Sequence, residues 1–346
     1  MGTEPVPEPD RMTVLTTFGP LATKALGRDP STGAAIVAAS YGDAATFRVS
    51  MLPARSVSEL HRGLRWLAPR PRSLVIRAEL LPGVDPGRCR RLLHPMRELD
   101  GSTTQPTFRE AARRWLACDF DSLPCPSGLD WMRDPIGTAE HLALTLPAAF
   151  HGVACVIQAT PGAGVKSGIR ARSWYHLDRA VSDAEAVRWL AASPVDRSLF
   201  RAVQAHYTAA PVLQDVRDPM PWRLHLVPGR EAVAVPELPE PPPRPPLARR
   251  PLTLRMENGS RYALAALEDE CRRVAHAATG DRHQGLNRAA FKLARFVASG
   301  ELEAGDVLRC LVAAGEAAGL TDGEAELLRF LAFGLEAGLR GGSHAA

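Results

Sequence analysis

Lysine is almost missing from this chain. Lys24, Lys166 and Lys292 stand against 39 arginines, a bias that a GC-rich coding sequence also produces. Cationic work therefore falls to guanidinium groups, which stay charged and grip carboxylates and phosphates bidentately. No run of 18 apolar residues free of charge occurs, which excludes an ordinary transmembrane helix. The opening MGTEPVPEPDRM has neither a basic n-region nor an apolar h-region, so no secretory signal is expected and a cytoplasmic setting is. Six cysteines are present without a C-x-x-C pair. Cys118 and Cys125 lie seven apart with no matching Cys/His pair nearby. That pattern argues against structural zinc and a disulfide framework, and for reduced thiols. What the chain does have is 346 residues, 45% of them hydrophobic, enough for two or three domains with real cores.

The net charge is +4, unevenly spread. Residues 251–346 carry 11 basic and 13 acidic residues, and residues 1–250 carry 31 and 25. The excess in the first part is a mild pointer to an anionic partner.

The clearest boundary is Pro236 to Pro251, half of it proline, which reads as an extended linker. Helical spacing after it predicts helices over Tyr262–Thr279, Asn287–Ala298 and Ala304–Ala318, and a fourth opened by Thr321 with Glu324 as a capping box. Before it, strands and helices interleave. Strands are expected over Ala34–Ser40 and Thr46–Met51 (flanking a turn at Tyr41-Gly42-Asp43), Ser73–Leu80, Trp115–Phe120, Val153–Ala159 and Gly168–Asp178. Helices are expected over Val57–Leu67, Pro86–Leu99, Phe108–Leu116, Ala139–Leu146 and Ser182–Ala192. That alternation predicts an α/β or α+β domain.

Asp119 and Asp121 end a predicted strand. Residues two apart project from one face, and two carboxylates so close favour solvation or a bridging cation such as Mg²⁺ or Mn²⁺. A solvated strand end is the plain alternative. Asp196 is a third acid, with helix capping as its structural alternative. Between them, Gly162-Ala-Gly-Val-Lys166-Ser167 fails as a P-loop, because Val165 separates Gly from Lys and a strand follows. On that strand Arg170, Arg172, Trp174 and His176 share one parity. Two guanidiniums, an aromatic and an imidazole on one face suit a triphosphate and a base, although an exposed face of a basic protein would look the same.

The order of these segments resembles the archaeo-eukaryotic primase superfamily, and in particular the bifunctional DNA primase/polymerases of bacteriophages and integrated elements. Val195-Asp196-Arg-Ser-Leu199, leading into Gln204-Ala-His-Tyr-Thr-Ala-Ala-Pro211 and then Asp218-Pro219, carries most of the likeness. The D-x-D strand and the Gly turn with its basic strand add to it. The resemblance implies an α+β catalytic domain over 1–235, a Pro-rich linker over 236–252 and a small all-α domain over 253–340. It implies a nucleotidyltransferase that makes or extends primers on single-stranded DNA from NTPs or dNTPs. Asp119, Asp121 and Asp196 would hold two Mg²⁺ or Mn²⁺ ions, and Arg172, His176 and Lys166 would bind the triphosphate. Trp174 would be available for base stacking. The family's Ser-x-His is altered, since Ser173 and His176 are three apart and Arg172 stands near the usual His position. A replicative helicase is expected as a separate partner, and no membrane is. A non-catalytic DNA-binding initiator of the same fold, a metal-dependent nuclease and an unrelated metabolic enzyme remain the other readings.

Overall fold

The computed structural model describes residues 10–42, 44–97, 102–238, 261–277 and 282–320, without the side chains of residues 97, 283 and 284. The chain divides into two compact units at residues 239–240. In chain order the first contains β1 (Arg11–Thr17), β2 (Ala25–Arg28), β3 (Ala35–Ala39), β4 (Phe47–Pro53), α1 (Val57–Leu67) and β5 (Ser73–Ile76). Four short strands follow: β6 (Glu79–Leu80), β7 (Met96–Arg97), β8 (Thr103–Thr104) and β9 (Phe108–Arg109). Then come β10 (Arg113–Leu123), α2 (Pro135–Leu144), β11 (Cys155–Ala159), β12 (Ile169–Val181), α3 (Asp183–Trp189), β13 (His206–Tyr207), β14 (Val212–Leu213) and β15 (Leu224–Val227). The architecture is mixed, with strands and helices interleaved as the sequence pattern predicts.

Two antiparallel sheets organise this unit. One has the order β13-β5-β1-β4, the other β10-β12-β11-β15, and a smaller sheet, β14-β2-β3, stands beside them. On one face of the β10 sheet, Leu116, Cys118, Phe120, Ile157 and Tyr175 pack against Leu142, Phe150 and Trp189. On the other, Trp115, Ala117, Val156 and Trp174 meet Leu60, Leu64 and Leu67 of α1 and Met12, Val14 and Val75 of the first sheet. Both faces are covered, so the middle of β10 and of β12 is buried almost without alternation, polar residues such as Arg172, Ser173 and His176 included.

Local chemistry sets the helix starts. Ser56 accepts from Glu59 N at α1, and Asp134 accepts from Gly137 N at α2, with Pro135 in the first turn. Ser182 and Glu185 form a complete capping box at α3. The guanidinium of Arg77, fully buried after β5, pins the two sheets. It donates to Trp115 O, Val181 O and Asp183 Oδ1, each at 2.8 Å. Five of the cysteines are buried and free, whereas Cys125, in the segment after β10, is exposed.

Several local expectations need correction. The described part of the helix expected over Pro86–Leu99, residues 86–97, is not helical: Cys89 bridges to Phe47 in an isolated β-contact, and Pro95 removes a donor a helix would need. Phe108–Leu116 is β9 and the start of β10. Ala34–Ser40 and Thr46–Met51 form strands, but not a hairpin. β3 pairs with β2, and β4 pairs with β1.

The described part of the second unit is helical: α4 (Arg261–Ala275), α5 (Arg282–Ala298) and α6 (Ala304–Ala317). Leu267, Cys271, Ala290, Leu293, Ala294, Val307 and Leu311 fill its core. The expected fourth helix and most of the Pro-rich linker lie outside the described residues. No helix among the described residues is long and apolar enough to cross a membrane.

Candidate active site

β10 and β12 are antiparallel neighbours in a register that sets Asp119 opposite Arg172 and Asp121 opposite Arg170. Both acids project from the face that looks toward the first sheet. Arg172 reaches Asp119 Oδ1 with Nε and Nη2, each at 2.8 Å. Its Nη1 donates to Tyr207 O at 3.0 Å, so it also ties the strand to β13. Arg170 pairs with Asp121 and donates to Ser122 Oγ. The two pairs differ in setting: the Asp119 side chain is 15% exposed and that of Asp121 is 68%.

Asp196 arrives from the turn after α3. Its main-chain N–H donates to Asp119 O at 3.0 Å, which brings the third acid beside the first. Its side chain also caps the short 3₁₀ turn Arg197–Phe200 by accepting from Ser198 N at 2.9 Å. Capping and a place beside Asp119 therefore coexist in one residue.

The Gly-rich turn joins β11 to β12 as a hairpin connection, with Gly164 and Gly168 at positive φ. Gly168 needs that freedom, because a Cβ there would stand 2.8–3.0 Å from the Ser122 backbone. Gly162 opens onto three cations. Lys24 Nζ, Lys166 Cδ and Arg170 Cδ lie within 3.6–3.8 Å of where its Cβ would be. Burial, followed by the charges of Lys166 and Arg170, lowers the Lys24 pKa, while Asp119 opposes the shift. Tyr41 stacks on Tyr207 with ring centroids 3.7 Å apart, and Lys24 Nζ sits 5.2 Å from the Tyr41 ring. Burial raises the Tyr41 pKa to about 12, so it remains a neutral wall. The result is a corner with Asp119 and Asp121 on one strand face, the Asp196 main chain bonded beside them, and Lys24, Lys166 and Arg170 close by.

Lys24, Tyr41 and Arg170 thus join Lys166 and Arg172 there. The first two come from the ends of β2 and β3, far away in sequence. His176 does not join. It lies four residues along β12 from Arg172, roughly 13 Å away, beside Trp115 in register. Its charged neighbours are Arg114, Asp10, Glu231 and Glu59, and burial, its main influence, lowers its pKa. The stacking role expected of Trp174 is corrected. Its side chain is fully buried between the sheets, and its indole N–H is spent on Gln158 Oε1 at 3.1 Å.

The donor set around Asp119 is all oxygen, as hard divalent cations prefer. Two acids share a strand face, and the main chain of the third is bonded to the first, so donor type and placement suit such an ion. Asp119 and Asp121 each hold a guanidinium instead, and among the described residues no three His, Cys, Asp or Glu side chains are gathered around one point as a bound ion requires. Loading an ion would require these pairs to open, most easily the exposed Asp121–Arg170 pair. No family model matches this chain, and the searches of curated proteins and solved structures returned no match.

Proposed function

We propose that this chain is a DNA primase-polymerase, a nucleotidyltransferase that makes or extends primers on single-stranded DNA from NTPs or dNTPs with Mg²⁺ or Mn²⁺. The observation that carries the reading is the corner itself, where Asp119 and Asp121 share a strand face beside a cluster of cations and the main chain of a third acid, Asp196, is bonded to Asp119. Asp119, Asp121 and Asp196 are the residues that would hold the ions. Bound divalent ions would supply activation of the attacking 3′-hydroxyl and neutralisation of the departing pyrophosphate. Lys24, Lys166 and Arg170 bind the triphosphate, and Arg172 orients Asp119. The Tyr41–Tyr207 stack walls the corner and limits water beside Asp119. In this reading a replicative helicase is a separate partner.

The ion pairs on Asp119 and Asp121 favour a second reading, a DNA-binding initiator of the same architecture in which arginines have taken over the acids. A primer-synthesis assay separates the two. The protein is incubated with single-stranded template, labelled nucleotides and Mg²⁺ or Mn²⁺, beside Asp121→Ala. Metal-dependent product from the parent protein, reduced at least about a hundredfold in the variant, is expected. Template binding without product in either protein moves the assignment to the initiator.

A further inference from the structure

From Leu60 to Ile76 the chain carries Arg62, Arg65, Arg70 and Arg72 and no acidic residue. α1 turns Leu60, Leu64 and Leu67 into the core, which leaves Arg62, Arg65 and Trp66 on its open side. Trp66 is 44% exposed, although a tryptophan at a helix end has every apolar reason to be covered. The Arg70 guanidinium lies 3.5 Å from its ring centroid. Beside them His61 and Arg65 of α1 face Leu224, His225 and Leu226 of β15 across a shallow depression of about 490 Å³. Burial, then the charges of Arg65 and His225, lowers the His61 pKa, as expected where positive charge is crowded.

A short stretch of chain links the end of α1 to the acidic corner. Ala210 N donates to Ala68 O at 2.9 Å, at the end of α1, and Tyr207 O accepts from Arg172. Only Thr208 and Ala209 lie between Tyr207 and Ala210, and the three steps from one to the other span at most about 11 Å.

We infer that the arginine-lined end of α1, with Trp66 at its centre and β15 beside it, is a docking surface for single-stranded nucleic acid leading to the Asp119 corner. Exposed arginines such as Arg62 and Arg65, in a segment that holds no acid, track a phosphate backbone without reading sequence. An exposed aromatic offers a stacking platform that a duplex, with its bases already stacked, cannot use. That combination separates a single strand from an acidic peptide, which needs the charges but not the ring. The inference names the template path for the proposed activity and rests on that reading only for the direction in which the strand leads.

The test is fluorescence anisotropy with a labelled oligothymidylate and the full chain, across a salt series. Arg62→Ala/Arg65→Ala is expected to weaken binding and to lower the salt slope by about 0.7 per arginine. Trp66→Ala is expected to weaken binding at least about fivefold, with Trp66→Phe retaining most of it. Parent-like binding in both alanine variants, with unchanged melting temperatures, overturns the inference. So does equal binding of duplex, or of polyglutamate, without dependence on Trp66. The primer-synthesis assay on the same proteins keeps the two proposals apart. Loss of strand binding in the variants with no synthesis by the parent retains the surface and removes the polymerase. Synthesis with unchanged binding does the reverse.

Discussion

Asp119 and Arg172 face each other directly across β10 and β12, and both Nε and Nη2 of the arginine converge on one carboxylate oxygen at 2.8 Å. Truncating Asp119 therefore does two things at once. It removes a candidate ion ligand, and it leaves a nearly buried guanidinium without its counter-charge. Asp119→Ala should lower stability by about 3 kcal/mol, at the low end for a broken buried pair, because Arg172 keeps Tyr207 O. Asp121→Ala, at an exposed position, should cost far less. Denaturant unfolding of both variants beside the synthesis assay checks this, and a loss at Asp119 as small as that expected at Asp121 would mean the buried pair carries little energy.

Arg77 offers a stability test remote from the proposed chemistry. Its guanidinium is fully buried and ties β5 to β10, β12 and α3. Arg77→Met strands the mostly buried Asp183 carboxylate and should destabilise by about 3–5 kcal/mol, while Arg77→Met/Asp183→Leu should recover part of that. Urea midpoints of the two variants decide the matter, and a double variant no better than the single would place the energy in the carbonyl contacts.

The pH dependence has a definite sign. His206 is fully buried against Trp115 and Trp174. Burial, reinforced by Arg172 and Arg77, holds its pKa well below the ordinary 6.5. The folded protein therefore keeps it neutral while the unfolded chain protonates it, so stability present above about pH 6.5 is lost as the pH falls through that value. His206→Phe should flatten unfolding free energy against pH by up to one proton between about pH 7 and 5. Parallel curves for the two proteins would contradict the assignment.

Gly168 holds the Gly-rich turn to the strand end. At φ +74° its missing Cβ leaves room for the Ser122 backbone. Gly168→Ala should cost more than about 1 kcal/mol from conformation alone and should push the Lys166 turn off β10. The expected readout is a lowered melting temperature with weaker nucleotide binding by calorimetry. Binding unchanged despite lowered stability would detach the turn from the nucleotide.

How far the sequence reveals this arrangement depends on distance along the chain. Parity alone put Asp119 with Asp121, and Arg170 with Arg172, on shared strand faces, because a strand's two-residue period is local. Parity could not say that His176, on the same face as Arg172, stands too far along the strand to join it. Nor could it show that α1 and the first sheet cover Trp174. Lys24 and Tyr41 were illegible for the same reason, since they reach the corner through the β14-β2-β3 sheet. The helix expected over Pro86–Leu99 misleads differently: the apolar residues there have helical spacing, but Pro95 and the contact of Cys89 with Phe47 take the described backbone elsewhere.

The cysteine distribution gives the molecule an unplanned convenience. Burial raises the Cys118 thiol well above its ordinary range and the Cys155 and Cys271 thiols to about 12, so these sulfurs stay protonated and out of reach of alkylating reagents. Cys125 is open to solvent four residues after Asp121. A maleimide dye added to the native protein should therefore attach at one place, next to the strand end where the acids lie. The unaltered chain thus carries its own attachment point for a fluorophore or spin label that reports what arrives at that end.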